Sequence, residues 1–222
     1  KFAGKTSWES GISNYWGNRL FQRALKSEEF RKELDDAIQD LRAKLTPDYL
    51  SQEVAKYQAT VQPYVTKEPD STHLGLTPSQ YEEVAAAIPQ EIESNYQDYL
   101  DSLKKPMPFF IGIPEKDENG KLKIRWDAAY DLKGQKMTYK VEVAKDFEFK
   151  DVIHTEEGLT LPETVLDMPE KGHYFARVTA TNEAGESRDA FDYYVTEAGK
   201  HFGVKSFFIQ SDGKISEDVY EE

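Results

Sequence analysis

The sequence predicts a multidomain chain of mixed α and β character: an antiparallel helical bundle over residues 1–105, then a strand-rich domain over 106–222. Two observations predict it. As far as Leu103, large apolar residues recur every three or four positions, the period of a helix that buries one face. Beyond Lys104, Lys105, Pro106, Met107 and Pro108 they recur every second position, the period of a half-buried strand. The lysine- and proline-rich stretch at the change of period reads as a linker. With 222 residues the chain is long enough for two domains of ordinary size.

Residues 1–14 are polar and turn-rich, with Phe2, Trp8 and Ile12 as the large apolar residues. Helical spacing starts with Tyr15, Trp16, Leu20, Phe21 and Leu25. Ser27 has the chemistry of an N-cap, and Glu28 and Glu29 stand where the positive end of the helix dipole favours them. Phe30, Leu34, Ile38, Leu41 and Leu45 then form one apolar stripe, with Asp35, Asp36 and Asp40 on the wet face. Thr46-Pro47 is a second helix start, a capping hydroxyl with proline at the first helical position. It is followed by a stripe of Leu50, Val54, Tyr57, Val61 and Tyr64, which Pro63 should kink or end. Residues 66–75 read as a loop. Thr77-Pro78 repeats the start signal, and Pro89 is expected to begin a further helix through Ile92, Tyr96, Leu100 and Leu103.

In the second half, Phe109, Ile111 and Ile113 alternate as a first strand, and Asp117-Glu118-Asn119-Gly120 is a hairpin turn whose Asn-Gly pair accepts positive φ. Leu122, Ile124 and Trp126 make the second strand, Tyr139, Val141 and Val143 the third. Phe147, Phe149 and Val152 read as a following edge strand. Tyr174, Ala176, Val178 and Ala180 alternate with His173, Phe175, Arg177 and Thr179 until Asn182 and Gly185 turn the chain. Either 190–196 or 204–210 pairs with that strand, the latter bounded by Gly203 and an Asp212-Gly213 turn. The tail, 217–222, is acidic and expected to be mobile.

Composition removes several functions. With no cysteine there is no disulfide, thiolate metal site or cysteine nucleophile. A net charge of −13 opposes binding to nucleic acid phosphates or to anionic lipid. No apolar run approaches the roughly 18–20 residues that cross a bilayer. The chain starts at Lys1 without an initiator Met or apolar leader, and is expected to be a portion of a longer protein.

No residue is assigned a catalytic, cofactor-binding or metal-binding role. Asp117, Glu118 and Asn119 lack the ligand spacing of a calcium loop, and Asp35-Asp36 and Glu82-Glu83 read as solvated helix faces. His73, His154, His173 and His201 are scattered without a paired ligand, and His173 is expected to face solvent opposite Tyr174. Neither a phosphate-cradling glycine loop nor a Gly-x-Ser-x-Gly elbow is present. Most aromatic residues belong to the apolar stripes. Phe147, Phe175, Tyr193 and Phe202 are expected to remain exposed as a patch for a partner.

The run from His173 to Ser187, with Met168-Pro169 ahead of Tyr174 and with Trp126 and Tyr139 at core positions, resembles a fibronectin type III domain over about residues 106–210. The resemblance implies an immunoglobulin-like β-sandwich of two sheets and a tyrosine corner, the Tyr174 hydroxyl bonding to backbone a few residues upstream. Trp16-Gly17-Asn18-Arg19-Leu20-Phe21-Gln22-Arg23-Ala24-Leu25, then Ser27-Glu28-Glu29-Phe30-Arg31 and the Leu45-Thr46-Pro47 helix start, resemble the C-terminal helical part of the CotH family over about residues 10–105. That family consists of atypical, secreted or spore-associated bacterial protein kinases whose nucleotide- and metal-binding residues lie upstream of such a run. The resemblance therefore implies a non-catalytic C-terminal portion that supports a kinase-like core at the bacterial surface. Its expected partners are the upstream part of the same polypeptide and another surface protein or glycan, with no cofactor. The competing expectation is a surface adhesion or carbohydrate-binding module with no linked enzyme.

Overall fold

The computed structural model describes residues 11–12 and 18–217. Phe2, Trp8, Tyr15, Trp16 and the tail beyond Glu217 lie outside the described residues, and so do the expectations placed on them. The chain divides into two compact units, Lys1–Ser102 and Leu103–Glu222.

Four of the five helices of the first unit begin where a side chain satisfies free N–H groups, α4 being the exception. Helix α1, Arg19–Ala24, is capped by Asn18, which accepts from the Leu20 amide. Helix α2, Glu28–Lys44, is capped by Ser27, which accepts from the Phe30 amide at 3.2 Å. Thr46 does the same for α3, Pro47–Val65, by accepting from the Tyr49 amide. A single-turn helix α4, Asp70–Leu74, occupies part of the expected loop and stops at Gly75 with φ +67°. Helix α5, Pro78–Ser102, opens with a reciprocal pair: the Gln80 amide donates to Thr77 Oγ1 and the Thr77 amide donates to Gln80 Oε1.

The two internal prolines behave differently. Pro63 lies in the last turn of α3, which ends two residues later at Val65. Pro89 starts no new helix: α5 runs through it for 25 residues. A proline there removes one hydrogen bond, to the Ala85 carbonyl. The turns on both sides persist, with Ala85 buried before it and Tyr99 and Ser102 buried after it.

The second unit is antiparallel β. Strands β1 (Glu115–Lys116), β2 (Leu122–Arg125) and β5 (Glu163–Leu166) form one sheet in the order β1-β2-β5. A larger sheet contains β3 (Met137–Ala144), β4 (Val152–Leu159), β6 (Gly172–Asn182), β10 (Lys205–Ile209) and β11 (Ile215–Ser216) in the order β11-β10-β6-β3-β4, with β7 (Ser187–Asp189) paired to β6. Strands β8 (Tyr193–Thr196) and β9 (Gly199–Phe202) form a separate hairpin. Of the two candidates for pairing with β6, segment 204–210 supplies the partner, as β10.

Both larger sheets contribute to one core. Leu122, Ile124 and Leu166 meet Tyr139, Val141, Val143, Tyr174, Ala176, Val178, Ala180, Phe207 and Ile209 in it. Trp126 is buried in it, edge-on to Tyr139 at 5.3 Å. The Tyr139 hydroxyl accepts from the Ala129 amide, and the Tyr174 hydroxyl donates to the Glu170 carbonyl at 2.9 Å, four residues upstream.

Several expected boundaries move. Phe109, Ile111 and Ile113 do not form a regular strand: Phe109 and Ile111 are buried, but Ile113 is exposed, and a single bridge joins Ile111 to Trp126. Prolines 106, 108 and 114 lack the N–H that a ladder needs, so this segment is held by scattered bonds such as the Gly112 amide to the Arg125 carbonyl. Residues 104–108, read as a linker, are built into the second unit. There the Lys104 carbonyl accepts from Asn182, the Pro106 carbonyl accepts from Arg188, and Met107 is fully buried.

In the β1–β2 turn only Gly120 takes positive φ, at +80°. Asn119 keeps negative φ because the Asp117 carboxylate holds the loop, accepting from the Asn119 and Lys121 amides. Phe147 and Phe149 precede β4 and are not part of it. They belong to a turn tied by Asp146, whose carboxylate accepts from three amides and is held below the usual carboxylate range by them, the Asp151 amide foremost. β4 is the outer strand of its sheet, as expected, and its pairing with β3 slips register twice.

Because Trp126 is buried in the shared core, Trp126→Ala should cost about 3–5 kcal/mol. Chemical denaturation monitored on the β unit measures this, and a midpoint that hardly moves would remove Trp126 from the core.

Candidate functional site

Two places bring chemically useful side chains together, one in each unit. The first is a cleft of about 370 Å³ between α2 and α5, lined by Ile38, Leu41, Leu45, Ile92, Tyr96 and Tyr99, with Arg42 and Asn95 at its polar side. It arises because the apolar stripes of the two helices approach without closing. Arg42 spans it: its guanidinium lies 3.8 Å from the centre of the Tyr96 ring and 2.9 Å from Glu93. Gln39 donates to the Tyr96 hydroxyl at 2.6 Å. These contacts fix the ring and the cation relative to each other and leave the apolar floor open.

The stripes expected to form the helical core are largely uncovered among the described residues. No residue of α2 or α3 is buried. Tyr57 and Tyr64 on α3 are 65% and 68% exposed, and Leu41 on α2 is 55% exposed. Leu25 and Ile12 are fully buried, with the Ile12 amide donating to Ser102 Oγ at 2.8 Å.

The second place is on the larger sheet, on the face opposite the main core. Phe149, Phe175, Ala144 and Val204 are buried there, with Phe147 and Tyr194 packed against them. The β8–β9 hairpin contributes Tyr194, 5.0 Å from Phe175, and His201, 4.3 Å from Phe147. His173 stacks on Phe208 at 4.0 Å and bonds to Ser206 Oγ at 2.7 Å. Beyond the rings, Arg177 lies over Phe149 and pairs with Glu142 at 2.8 Å.

This arrangement corrects two expectations. His173 does not face solvent: it is half-buried among aromatic rings, and that burial pushes its pKa below the ordinary histidine value. Phe175 and Phe147 are not an exposed patch, because the hairpin covers them. Tyr193, at 48% exposed, and the half-buried Phe202 are the members of that set left on the outer side of the hairpin, with Lys200 over the Tyr193 ring. The covering was readable in part. The unbroken aromatic run His173-Tyr174-Phe175 signals a strand buried on both faces, whereas strict alternation in the remainder pointed to one.

The other residues weighed from sequence remain apart. Asp36 pairs with Lys32 on the surface of α2, and Glu82 accepts from Gln62. His154 lies 3.8 Å from Glu156 on β4. Among the described residues no group of three His, Cys, Asp or Glu side chains is placed to hold a metal ion, and no helix is long and apolar enough to cross a membrane.

Compared with known proteins, residues 1–99 match the family described as CotH kinase protein. No curated protein matches the chain.

The open stripe of α2 makes a sharp contrast testable. Leu41→Glu should change stability by no more than about 0.5 kcal/mol, the range for exposed sites. Leu25→Ala, at a position 1% exposed, should cost about 2–5 kcal/mol. Thermal unfolding of both variants checks this, and a large loss from Leu41→Glu would mean that the stripe is packed.

Proposed function

We propose that this CotH-family chain is a non-catalytic C-terminal portion of a secreted or surface protein, whose helical unit braces an upstream kinase-like core and whose β unit is an interaction module. The observation that carries this reading is the coincidence of the family match, over residues 1–99, with helices whose apolar faces are open. A helix gains most of its stability by burying such a face. Stripes holding Leu41, Tyr57, Val61 and Tyr64 therefore favour a further surface of the same polypeptide as their cover. A bracing role asks only for shape and apolar area on these helices, whereas phosphoryl transfer needs metal carboxylates and phosphate donors converging in one place.

For the β unit we propose a fibronectin type III-like sandwich, with the domain running from about residue 106. Three features support this: two sheets sharing a core, Trp126 packed on Tyr139, and the Tyr174 hydroxyl bound to the Glu170 carbonyl as a tyrosine corner would have it. Modules of this kind space and dock other domains, in keeping with the bacterial surface setting that the family implies.

A second reading, a carbohydrate-binding adhesion module, draws on the outer side of the hairpin. Exposed Tyr193 and Val195 and half-buried Phe202 there offer apolar surface beside Lys200. A glycan array separates the two: binding lost in Tyr193→Ala would favour the module reading, and a blank array would leave the bracing role.

Calorimetric titration of the chain with ATP and magnesium should show no heat of binding. Micromolar affinity would overturn the non-catalytic assignment.

A further inference from the structure

The β8–β9 hairpin is joined to the rest of its unit in two distinct ways. At its base the attachment is polar and rigid. The Gly203 amide donates to the Asp192 carbonyl at 2.8 Å, closing the loop, and Gly203 has φ +78°. The Asp192 side chain accepts from the Ile111 amide at 2.7 Å and lies 3.6 Å from the Lys205 ammonium. Along its body β8 and β9 pair with each other as a two-stranded sheet. Ring contacts join the body to the large sheet and its neighbouring turn: Tyr194 with Phe175, Phe147 and His173, and His201 with Phe147. A two-stranded hairpin is marginal on its own, so its closure depends on those few contacts.

From this geometry we propose that the hairpin is an acid-sensitive flap: protonation of His173 beneath it loosens the Tyr194 contact and lifts residues 193–202, while the base at Asp192 and Gly203 stays fixed. The surface uncovered is the row Phe147, Phe175, His173 and Phe208, an aromatic platform that the closed flap hides.

The surroundings of His173 on every packed element fit this role. Strand β10 presents Ser206 and Phe208, and its Lys205 is engaged by Asp192 and Glu217. Strand β6 presents Phe175 and, further along, Arg177, which is paired with Glu142 from β3. The hairpin presents Tyr194 and, over Phe147, His201. Among the described residues no carboxylate is within ion-pair distance of His173, so a charge acquired there has no counter-ion. Closure buries the imidazole and holds its pKa below the ordinary value of 6.5. Lifting the flap returns the ring to water and to that ordinary value. The closed state thus binds fewer protons. Closure is at full strength above the ordinary pKa and weakens as the pH falls from there towards the lowered one.

Amide hydrogen exchange of the whole chain, corrected for the intrinsic effect of pH on exchange, tests the flap. Between about pH 7.5 and pH 5, across the histidine range, protection at Tyr194, Val195, Lys200 and His201 should fall as the pH falls, the direction that a lower proton affinity of the closed state requires. Amides of β3 and β6 should keep their protection. His173→Phe, which keeps a ring on Phe208, should remove the pH dependence, and His201→Phe should retain it. Should His173→Phe fold poorly, the His173 ring resonances of the unaltered chain decide instead, since they must titrate with a midpoint below the ordinary value. Hairpin protection that ignores pH, dependence that follows His201, or a His173 midpoint at or above the ordinary value would each overturn the proposal.

Discussion

Strand β6 carries the constraint on which the β unit depends: it is buried along one face, buried on the other at Phe175, and hydrogen-bonded on both sides. Its 11 residues pair with β3 along one edge and with β10 and β7 along the other. Tyr174, Ala176, Val178 and Ala180 point into the main core, and Phe175 points into the aromatic cluster behind it. A register shift of one residue would exchange the two sets, bringing Phe175 to the place of Tyr174 or of Ala176, the latter opposite Val143 in the core. The alanines are therefore as informative as the rings. They leave the room that the larger side chains of β2 and β10 occupy.

The helical unit obeys a different economy. Its local signals are strong: Ser27, Thr46 and the Thr77–Gln80 pair each satisfy amides that would otherwise be unbonded. Caps of this kind set where a helix begins and contribute about 1 kcal/mol each. They do not hold helices against one another. That requires burial, and the stripes of α2 and α3 bury little, while Arg42, Tyr96 and Gln39 link α2 to α5 through polar and ring contacts at one rim of the cleft. Helix identity here is written locally, and among the described residues the stripes of α2 and α3 find little surface that would bury them.

That division explains how much was legible beforehand. Caps, stripes and turns are short-range, and Ser27, Thr46-Pro47, Thr77-Pro78 and Asp212-Gly213 each mark an observed boundary. Pro89 misled because a single lost hydrogen bond is a small local cost set against a 25-residue helix with buried residues on either side. Residues 109–113 alternate in apolar character yet form no regular strand, because the flanking prolines lack the N–H that a ladder needs. The aromatic cluster was the least legible feature. Phe147 and Phe175 are far apart in sequence, and their burial depends on a hairpin returning over them, which no periodicity within either segment records. His173 inherits its unusual setting from the same long-range event.

Strand β4 has a consequence of a different kind. The outer strand of a sheet offers unpaired amides and carbonyls that another molecule's strand can extend, the first step towards fibrils. Here that strand carries Glu156 and Glu157 with Gly158 at φ +74°, and its pairing slips twice, so its backbone is neither straight nor electrically neutral. An identical strand approaching it meets like charge and a broken hydrogen-bond pattern. Charge and register slips together oppose one copy of this unit templating another along β4.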